Sequence, residues 1–394
     1  MDLFELTKAL MSIPSTSGEE EAVGFWLRDY LESLGWTVEL QPVGAGTLLS
    51  PRTSLRRSDD LSAEEPAMGT VSAPRQNNVI ATSPRTSLRR PDELSAEEPP
   101  MGTGVSPLRQ NNVIATLNDT PRVWFSTHMD TVPPFIPPTE DDEKIYGRGA
   151  CDAKGIIAAQ ITAAEALRKK GISDIGLLYT VEEERSSTGA RAANLHPLAA
   201  KCEYMVNGEP TDNDLAIGSK GSFRLKIKTS GKAAHSAYPE MGDSAILTLL
   251  DILEDVRRTK FPNDEFFGDT TVNIGVIEGG VALNVIPPKA EASLLIRLTT
   301  PRAPIEEALA NIIRGRGEIE VLSCSEPVRM IAVDGFKQKT VRFTTDIPYL
   351  TNWGKPLLLG PGSILVAHTK DEFVLKQDLY AAVGLYQDLV QRLV

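Results

Sequence analysis

Short apolar segments alternate with a helical segment between residues 123 and 206, and this alternation restricts the fold to a few classes. Strands are predicted at residues 123–126, 175–181 and 204–206, and an amphipathic helix at 155–170 is closed by Gly171. Strands joined through a helix pair in parallel, because the helix returns the chain to the same end of the sheet. The sequence therefore predicts an α/β fold with a mostly parallel central sheet flanked by helices.

The N-terminal region predicts one helix followed by a strand. Ser17 and Glu20 have the spacing of a capping box, which would open an amphipathic helix that ends at Gly35. Residues 36–43 then read as a strand.

After Gly221 the pattern changes, which indicates a second domain. The order is strand, helix, two strands, helix and strand, at residues 223–229, 245–258, 272–277, 292–298, 305–313 and 318–322. A βαββαβ order of this length is typical of a ferredoxin-like unit. We therefore predict a first domain in two parts, residues 1–212 and 327–394, and an inserted domain at residues 213–326.

Residues 50–116 hold two near-identical copies of one segment, which end at Thr82 and Thr116. Each copy is rich in proline, serine, arginine and glutamate, so it cannot bury a core, and two copies are fewer than the about three that a solenoid needs. We interpret residues 50–110 as a disordered, low-complexity insertion. The tail of the second copy, residues 111–116, should form a strand beside residues 123–126, because only a short turn separates the two.

Composition narrows the possible partners and compartment. A net charge of −12 argues against binding to nucleic acid or an anionic membrane, and no apolar run approaches the roughly 18 residues of a membrane span. The N-terminus is acidic, unlike a secretory signal, and three cysteines are too few for a disulfide framework. We expect a cytoplasmic protein with neither a nucleic acid nor a membrane partner.

Histidines and acids follow the predicted strands, and one further acid precedes the helix at 155–170. Because the carboxyl ends of parallel strands meet at one edge of a sheet, these side chains should lie together. Imidazole nitrogen and carboxylate oxygen suit Zn²⁺, and also Co²⁺ or Mn²⁺. The candidate metal ligands and their neighbours are His128, Asp130, Asp152, Glu182–Glu184, Glu209 and His368.

Seven motifs strengthen this interpretation: STHMDTVPP (126–134), YGRGACDAKG (146–155), EEERSSTG (182–189), GEPT (208–211), SGKAAHSAYPEMG (230–242), NVIP (284–287) and GPGSILVAHTKDEFV (360–374). Together they resemble the zinc-dependent aminoacylase, acetylornithine deacetylase, succinyl-diaminopimelate desuccinylase and glutamate carboxypeptidase family. The resemblance covers nearly the whole chain outside the duplication. It implies a zinc-peptidase-like catalytic domain with an inserted dimerisation or lid domain. The implied activity is hydrolysis of the amide bond of an N-acyl amino acid or short peptide.

The resemblance also implies two Zn²⁺ ions per subunit and assigns their ligands. Asp152 would bridge the two ions. Glu184 and His368 would complete one site, and His128 and Glu209 the other. A cis peptide bond is implied between Asp152 and Ala153.

Further roles follow from the same resemblance. Glu183 would be the general base, and Asp130 would orient His128. His235 would stabilise the oxyanion, often in the site of the neighbouring subunit of a homodimer formed through the inserted domain. Asn284, Arg297 and the loop that contains Gly362 would bind the carboxylate of the substrate.

Several functional alternatives stay open on the sequence. The motif at 360–374 favours an acetylornithine deacetylase-like enzyme, and a zinc carboxypeptidase, a dipeptidase and a succinyl-diaminopimelate desuccinylase are alternatives. A metal-binding dimer without turnover is an answer of a different class. A dinucleotide or phosphate loop is not supported at residues 147–155, and a metal-free serine hydrolase lacks its G-x-S-x-G turn.

Deletion of residues 50–82 tests the interpretation of the duplication. Because the second copy alone supplies the strand, we expect the deletion to leave zinc content and kcat close to wild type and not to lower the Tm. Metal analysis, an activity assay and thermal denaturation would measure these. Unfolding or loss of metal in the deleted protein would show instead that the first copy is structural.

Overall fold

The computed structural model describes residues 1–44 and 110–394. The helices are α1 (Leu3–Met11), α2 (Glu21–Ser33), α3 (Lys154–Lys169), α4 (Thr188–Ala193), α5 (Ala245–Arg258), α6 (Arg302–Ile313) and α7 (Lys376–Leu393). The strands up to residue 219 are β1 (Thr37–Val43), β2 (Gln110–Thr116), β3 (Val123–His128), β4 (Thr139–Glu140), β5 (Lys144–Tyr146), β6 (Ile175–Thr180), β7 (Tyr204–Asn207) and β8 (Leu215–Ser219). The later strands are β9 (Gly221–Ser230), β10 (Thr271–Gly279), β11 (Lys289–Leu298), β12 (Glu318–Ser325), β13 (Val328–Arg329), β14 (Gln338–Val341), β15 (Lys355–Leu358) and β16 (Phe373–Leu375).

The larger sheet has the strand order β1-β2-β6-β3-β7-β15-β8-β13, with β14 beside β8. Its centre, β6-β3-β7-β15, is parallel throughout. The predicted α/β fold with a mostly parallel central sheet is therefore confirmed. The carboxyl ends of these four strands meet at one edge, where the predicted histidines and acids follow.

Strand β3 shows how this sheet is buried on both faces. Phe125 lies in the core formed with α1, α2, α3 and α7, and its ring is 5.1 Å from that of Tyr386. Trp124 points to the opposite face and packs edge-on against Trp353 at 4.8 Å. A side chain at Gly176, on the adjacent strand, would meet the indole of Trp124 at 2.5 Å. Successive residues of one strand thus pack against the layers on opposite faces of the sheet.

The predicted start of the second helix is wrong. Helix α2 begins at Glu21, and its N-cap residue Glu20 makes no side-chain capping bond. The Ser17 hydroxyl instead donates to Asp130 at 2.6 Å. Helix α1, which the sequence analysis did not predict, carries the capping box, formed by Asp2 and Glu5.

The second copy of the duplication supplies a strand of the sheet, as predicted, but the predicted neighbour is wrong. Strand β2 pairs antiparallel with β1 and with β6, and β6 separates it from β3. The short turn after Thr116 therefore does not close a hairpin. The predicted disorder of the insertion concerns residues 50–109, which lie outside the described residues, and Gln110, which belongs to β2.

A smaller, antiparallel sheet has the strand order β10-β11-β9-β12 and one face covered by α5 and α6. With its helices it follows the predicted βαββαβ order from Gly221 to Ser325, and we call it the smaller unit. Strand β8, at residues 215–219, still pairs within the larger sheet. The division into domains at residues 213 and 326 stays a prediction.

Candidate active site

The side chains predicted as metal ligands meet at the carboxyl edge of the larger sheet. Asp152 lies between two imidazoles: the distance from its Oδ1 to His128 Nε2 is 2.9 Å, and that from its Oδ2 to His368 Nε2 is 3.3 Å. Nε2 of His368 is also 2.8 Å from Glu184 Oε1. Ligand atoms of His128, Asp152 and Glu184 all lie within 4.8 Å of one another. The geometry thus places one carboxylate where it can face two cations at once.

Electrostatics at this edge favour bound cations. Burial would raise the pKa of Asp152, but hydrogen bonds to His128 and His368 hold that pKa below its usual range. Hydrogen bonds to Asp152 and Glu184 raise the pKa of His368 to about 10. The same carboxylates that attract protons to the imidazoles would attract metal ions, and neutral imidazole is the form that binds metal.

Glu209 and Glu183 complete the cluster. Glu209 is buried and its Oε1 has no hydrogen-bond partner in the described chain. Burial raises its pKa well above the usual range, and burial together with Glu209 does the same for Glu183. A buried carboxylate oxygen without a partner is costly unless a cation binds it. The donor set therefore fits divalent metal ions.

Comparison with known proteins supports the same chemistry. Residues 124–392 match the family model described as peptidase family M20/M25/M40. The chain belongs to peptidase family M20/M25/M40. As a member it is a hydrolase of amide or peptide bonds.

Two relatives and one solved structure show how far the similarity extends. A peptidase M20 domain-containing protein of Schizosaccharomyces pombe is 32% identical over 395 residues, which cover 99% of this chain and 84% of that protein. A protein of Arthroderma otae named "Probable carboxypeptidase" is 31% identical over 441 residues, which cover 100% of this chain and 86% of that protein. The crystal structure of a tripeptidase from Staphylococcus aureus has a TM-score of 0.69 at 18% identity, covering 99% of this chain and 97% of that one.

In this M20/M25/M40 peptidase, Asp130 contacts His128 mainly through its backbone. His128 Nδ1 is 2.9 Å from the Asp130 carbonyl oxygen and 3.4 Å from its Oδ1. The Asp130 carboxylate accepts from the backbone N–H groups of Glu183 (3.0 Å) and Glu184 (3.2 Å) and from Ser17. Asp130 therefore positions the loop that carries the predicted base as well as the imidazole.

The loop that carries Glu183 has an unusual backbone. Glu182 and Ser187 have φ values of 58° and 51°, a region that side chains disfavour. Glu20 accepts from the backbone N–H of Glu182 at 3.1 Å and so helps to hold this conformation. Burial raises the pKa of Glu20 to about 7, and Asp130 adds to this effect. Backbone strain of this kind persists only where surrounding contacts hold the conformation, and it is often found at functional sites.

Sequence reasoning missed the pair that holds the Asp152 loop. Glu372 is buried and binds Arg148 at 2.5 Å through Oε2. Its Oε1 accepts from the backbone N–H groups of Gly149 (3.0 Å), Cys151 (3.3 Å) and Asp152 (3.3 Å). Both residues stand inside quoted motifs, at 146–155 and 360–374, so their presence there was the available signal. The predicted cis peptide between Asp152 and Ala153 is present in this loop.

Asp346 was missed as well, and no motif pointed to it. It is buried, accepts from Thr180 Oγ1 at 2.7 Å, and has an Oδ1 without a partner in the described chain. Burial raises its pKa to about 6. Its negative charge also contributes to raising the pKa values of Glu183 and Glu209, so it belongs to the electrostatic environment of the cluster.

The predicted substrate-binding residues fall into separate groups. Gly362 (φ 82°) lies against the Asp152 loop, because a side chain there would meet Cys151 at 2.5 Å. His235 and Asn284 lie together on the smaller unit, where His235 pairs with Val285 and both are exposed. Arg297 is partly buried on β11. Within residues 1–44 and 110–394, no hydrogen bond joins His235, Asn284 or Arg297 to the predicted ligands.

Replacing Glu372 by glutamine tests the support of the Asp152 loop. Arg148 would lose the negative charge of its buried partner, so we expect a loss of about 3 kcal/mol in the free energy of unfolding. Looser support of Asp152 should weaken metal binding roughly 10- to 100-fold, as for other residues that hold metal ligands. Chemical denaturation and chelator competition would measure the two effects. The matched control is Asp371→Asn at the exposed neighbour, which should change neither; equal behaviour of the two variants would contradict the assigned role.

Proposed function

We propose that this protein is a two-zinc peptidase that removes the C-terminal residue of a dipeptide or short peptide. The observation that carries the proposal is the position of Asp152 between His128 and His368, with Glu183, Glu184 and Glu209 gathered around it. The name of the Arthroderma relative favours a carboxypeptidase. This reaction replaces the acetylornithine deacetylase-like one that the C-terminal motif favoured. Hydrolysis of N-acyl amino acids is the second candidate, since both break an amide beside a carboxylate.

The ligand assignment proposed for the two metal ions follows the contacts. Asp152 would be shared, His368 and Glu184 would hold one ion, and His128 and Glu209 the other. The 2.8 Å contact between His368 and Glu184 supports the first group, and the unpartnered Oε1 of Glu209 supports the second. Two imidazole nitrogens and the oxygens of three carboxylates form a donor set that suits Zn²⁺, and Co²⁺ or Mn²⁺ could substitute.

Glu183 has the properties of the base in this reaction. Bound divalent ions would polarise the scissile carbonyl and lower the pKa of water in the site. Glu183 would take a proton from the attacking water and deliver it to the leaving amine. Burial and Glu209 raise the pKa of Glu183, which improves its match to a proton transfer near neutral pH. Asp130 holds the backbone N–H of Glu183, so the base is fixed before substrate binds.

Recognition of the substrate carboxylate is assigned to the smaller unit and the glycine loop. Arg297, Asn284 and Gly362 would bind the carboxylate, and His235 would stabilise the oxyanion. His235 and Asn284 are neighbours, because the Ser236 backbone N–H donates to the Asn284 carbonyl at 2.9 Å. Their exposure on the smaller unit supports an action in the site of another subunit.

The surface of the smaller unit supports a homodimer. Strand β10 is an edge strand, and its Val276 and Ile277 are 50% and 54% exposed. Leu247 and Leu250 of α5 are 63% and 48% exposed. An apolar edge strand with an apolar helix beside it invites pairing with a second copy about a twofold axis. We place the dimer contact there.

We also propose a reducing, cytoplasmic location. All three cysteines are free thiols, and burial raises the pKa of Cys202 to about 12, so it stays protonated and unreactive. In the described chain, no helix is long and apolar enough to cross a membrane.

Replacing Glu183 by glutamine should keep both metals and lose nearly all turnover, because the amide keeps the shape and removes the base. Amine release would be measured with zinc added, on dipeptides, acyl-glutamates, N-acetyl-ornithine and N-succinyl-diaminopimelate, together with metal analysis. The control is Glu32→Gln at an exposed position of α2. Near-normal turnover of the glutamine variant would remove Glu183 from the mechanism. Substoichiometric metal with no amine release by the wild type would favour a metal-binding dimer without activity.

Mixing two inactive variants tests the dimer and His235 together. A mixed dimer of Glu183→Gln and His235→Ala has one site with an intact Glu183 that receives His235 from the other subunit. Random exchange makes about half of the dimers mixed, and one of the two sites in each mixed dimer is intact. Mixing should therefore restore about a quarter of wild-type kcat. The control is the double variant, which lacks both side chains in every subunit and should stay inactive after the same exchange procedure. Failure of two folded, dimeric, exchanging variants to complement each other would contradict an action of His235 across the interface.

A further inference from the structure

A small cavity lies beside Glu183, between the loop of residues 182–187 and the smaller unit. Its volume is about 70 Å³, enough for several waters or one small polar group. Glu183 and Arg185 of the loop after β6 and Arg191 of α4 line it on one side, and Arg224 of β9 lines it from the smaller unit. The remaining lining consists of Tyr349 and serine and threonine residues. The chemistry is therefore cationic and rich in hydroxyl groups, with Glu183 as the one acid in the lining.

Arg191 is held in place without a charged partner. Its guanidinium lies 4.0 Å from the centre of the Tyr349 ring, and its Nε donates to the Ser186 carbonyl oxygen at 3.5 Å. A stacked guanidinium keeps its terminal N–H groups free for a planar, two-oxygen acceptor. Arg191 is therefore a hydrogen-bond donor whose position in the cavity is fixed before a ligand binds.

Arg224 differs from the other basic residues on its face of β9. Lys226 pairs with Glu291 at 2.5 Å and Lys228 with Glu320 at 2.6 Å. Across the described ranges, Arg224 has no carboxylate within ion-pair distance. An arginine left unpaired next to two paired lysines is available to a ligand.

A second arginine lies close to Arg224. Arg224 is opposite Leu295 and Arg297 is opposite Ser222, so the two arginines are diagonal neighbours on one face of the sheet. Burial lowers the pKa of Arg297, and the charge of Arg224 lowers it further. Arg224 is exposed while Arg297 is partly buried, and an anion bound beside the two arginines would reduce their repulsion.

We propose that this cavity binds a second carboxylate of the substrate, the side chain of a glutamate or aspartate that leaves as the amine product. This inference rests on the proposed peptidase function. Arg297, Asn284 and Gly362, which we assign to the first carboxylate, are not among the lining residues. Glu183 delivers its proton to the leaving amine, so a cavity beside Glu183 receives the side chain of that residue. Arg224 and Arg191 are then the residues that determine specificity.

Matched substrates and variants separate this role from general binding. We compare N-acetyl-glutamate with N-acetyl-glutamine, and alanyl-glutamate with alanyl-glutamine, on the zinc-loaded full chain. For Arg224→Gln we expect kcat/KM to fall about 10- to 100-fold with the glutamate substrates and less than about 3-fold with the glutamine ones, the size of one charged hydrogen bond. Arg224→Glu should reverse the wild-type preference. Lys226→Gln, on the same face of β9 and outside the cavity, is the control and should change neither ratio.

The outcomes distinguish the two proposals. Equal kcat/KM for glutamate and glutamine substrates in the wild type overturns the second carboxylate site and leaves the peptidase function intact. Equal losses on both substrates in Arg224→Gln also overturn it, and assign Arg224 to the first carboxylate. If no substrate is turned over, the peptidase function fails, and calorimetric titration with L-glutamate and L-glutamine still decides the site. Tighter binding of glutamate that is lost in Arg224→Gln supports it, and equal binding rejects it.

Discussion

The crowding of carboxylates at the buried carboxyl edge of the larger sheet is the constraint on which the site depends. Asp152, Glu184 and Glu209 are gathered around two imidazoles, and the Oε1 of Glu209 has no partner in the described chain. Burial opposes ionisation of these acids, while metal binding requires it. Divalent cations resolve this conflict, so the cluster is most stable when they are bound.

A surrounding layer of polar residues holds the loops that carry the predicted ligands. Glu372 binds Arg148 and three backbone N–H groups of the Asp152 loop, while Asp130 and Glu20 hold the loop of Glu183. These residues replace the hydrogen bonds that buried loops would otherwise lack. They also sustain a disfavoured backbone at Glu182. These supporting residues are not themselves among the predicted metal-bridging groups of the site.

The candidate reacting groups and the candidate recognition groups lie on different sheets. The predicted metal ligands and Glu183 lie at the carboxyl edge of the larger sheet. The smaller unit presents arginines from β9 and β11 and carries His235 on an exposed segment. Under the two proposals, a change at Arg224 should alter substrate preference without disturbing the predicted metal site.

The sequence by itself determined the class of fold, the βαββαβ order and the grouping of the predicted ligands. Strand and helix periodicity are local, and parallel strands bring their carboxyl ends together whatever their order. Strand order and long-range partners were decided only by the tertiary structure. The place of β2 between β1 and β6 depends on packing, not on the short turn after Thr116. The predicted capping role of Ser17 did not form, because α2 begins only at Glu21, and the Ser17 hydroxyl donates instead to Asp130, which is distant in sequence. Asp346 and the cavity beside Arg224 could not be foreseen, since burial and ion pairing belong to the folded chain alone.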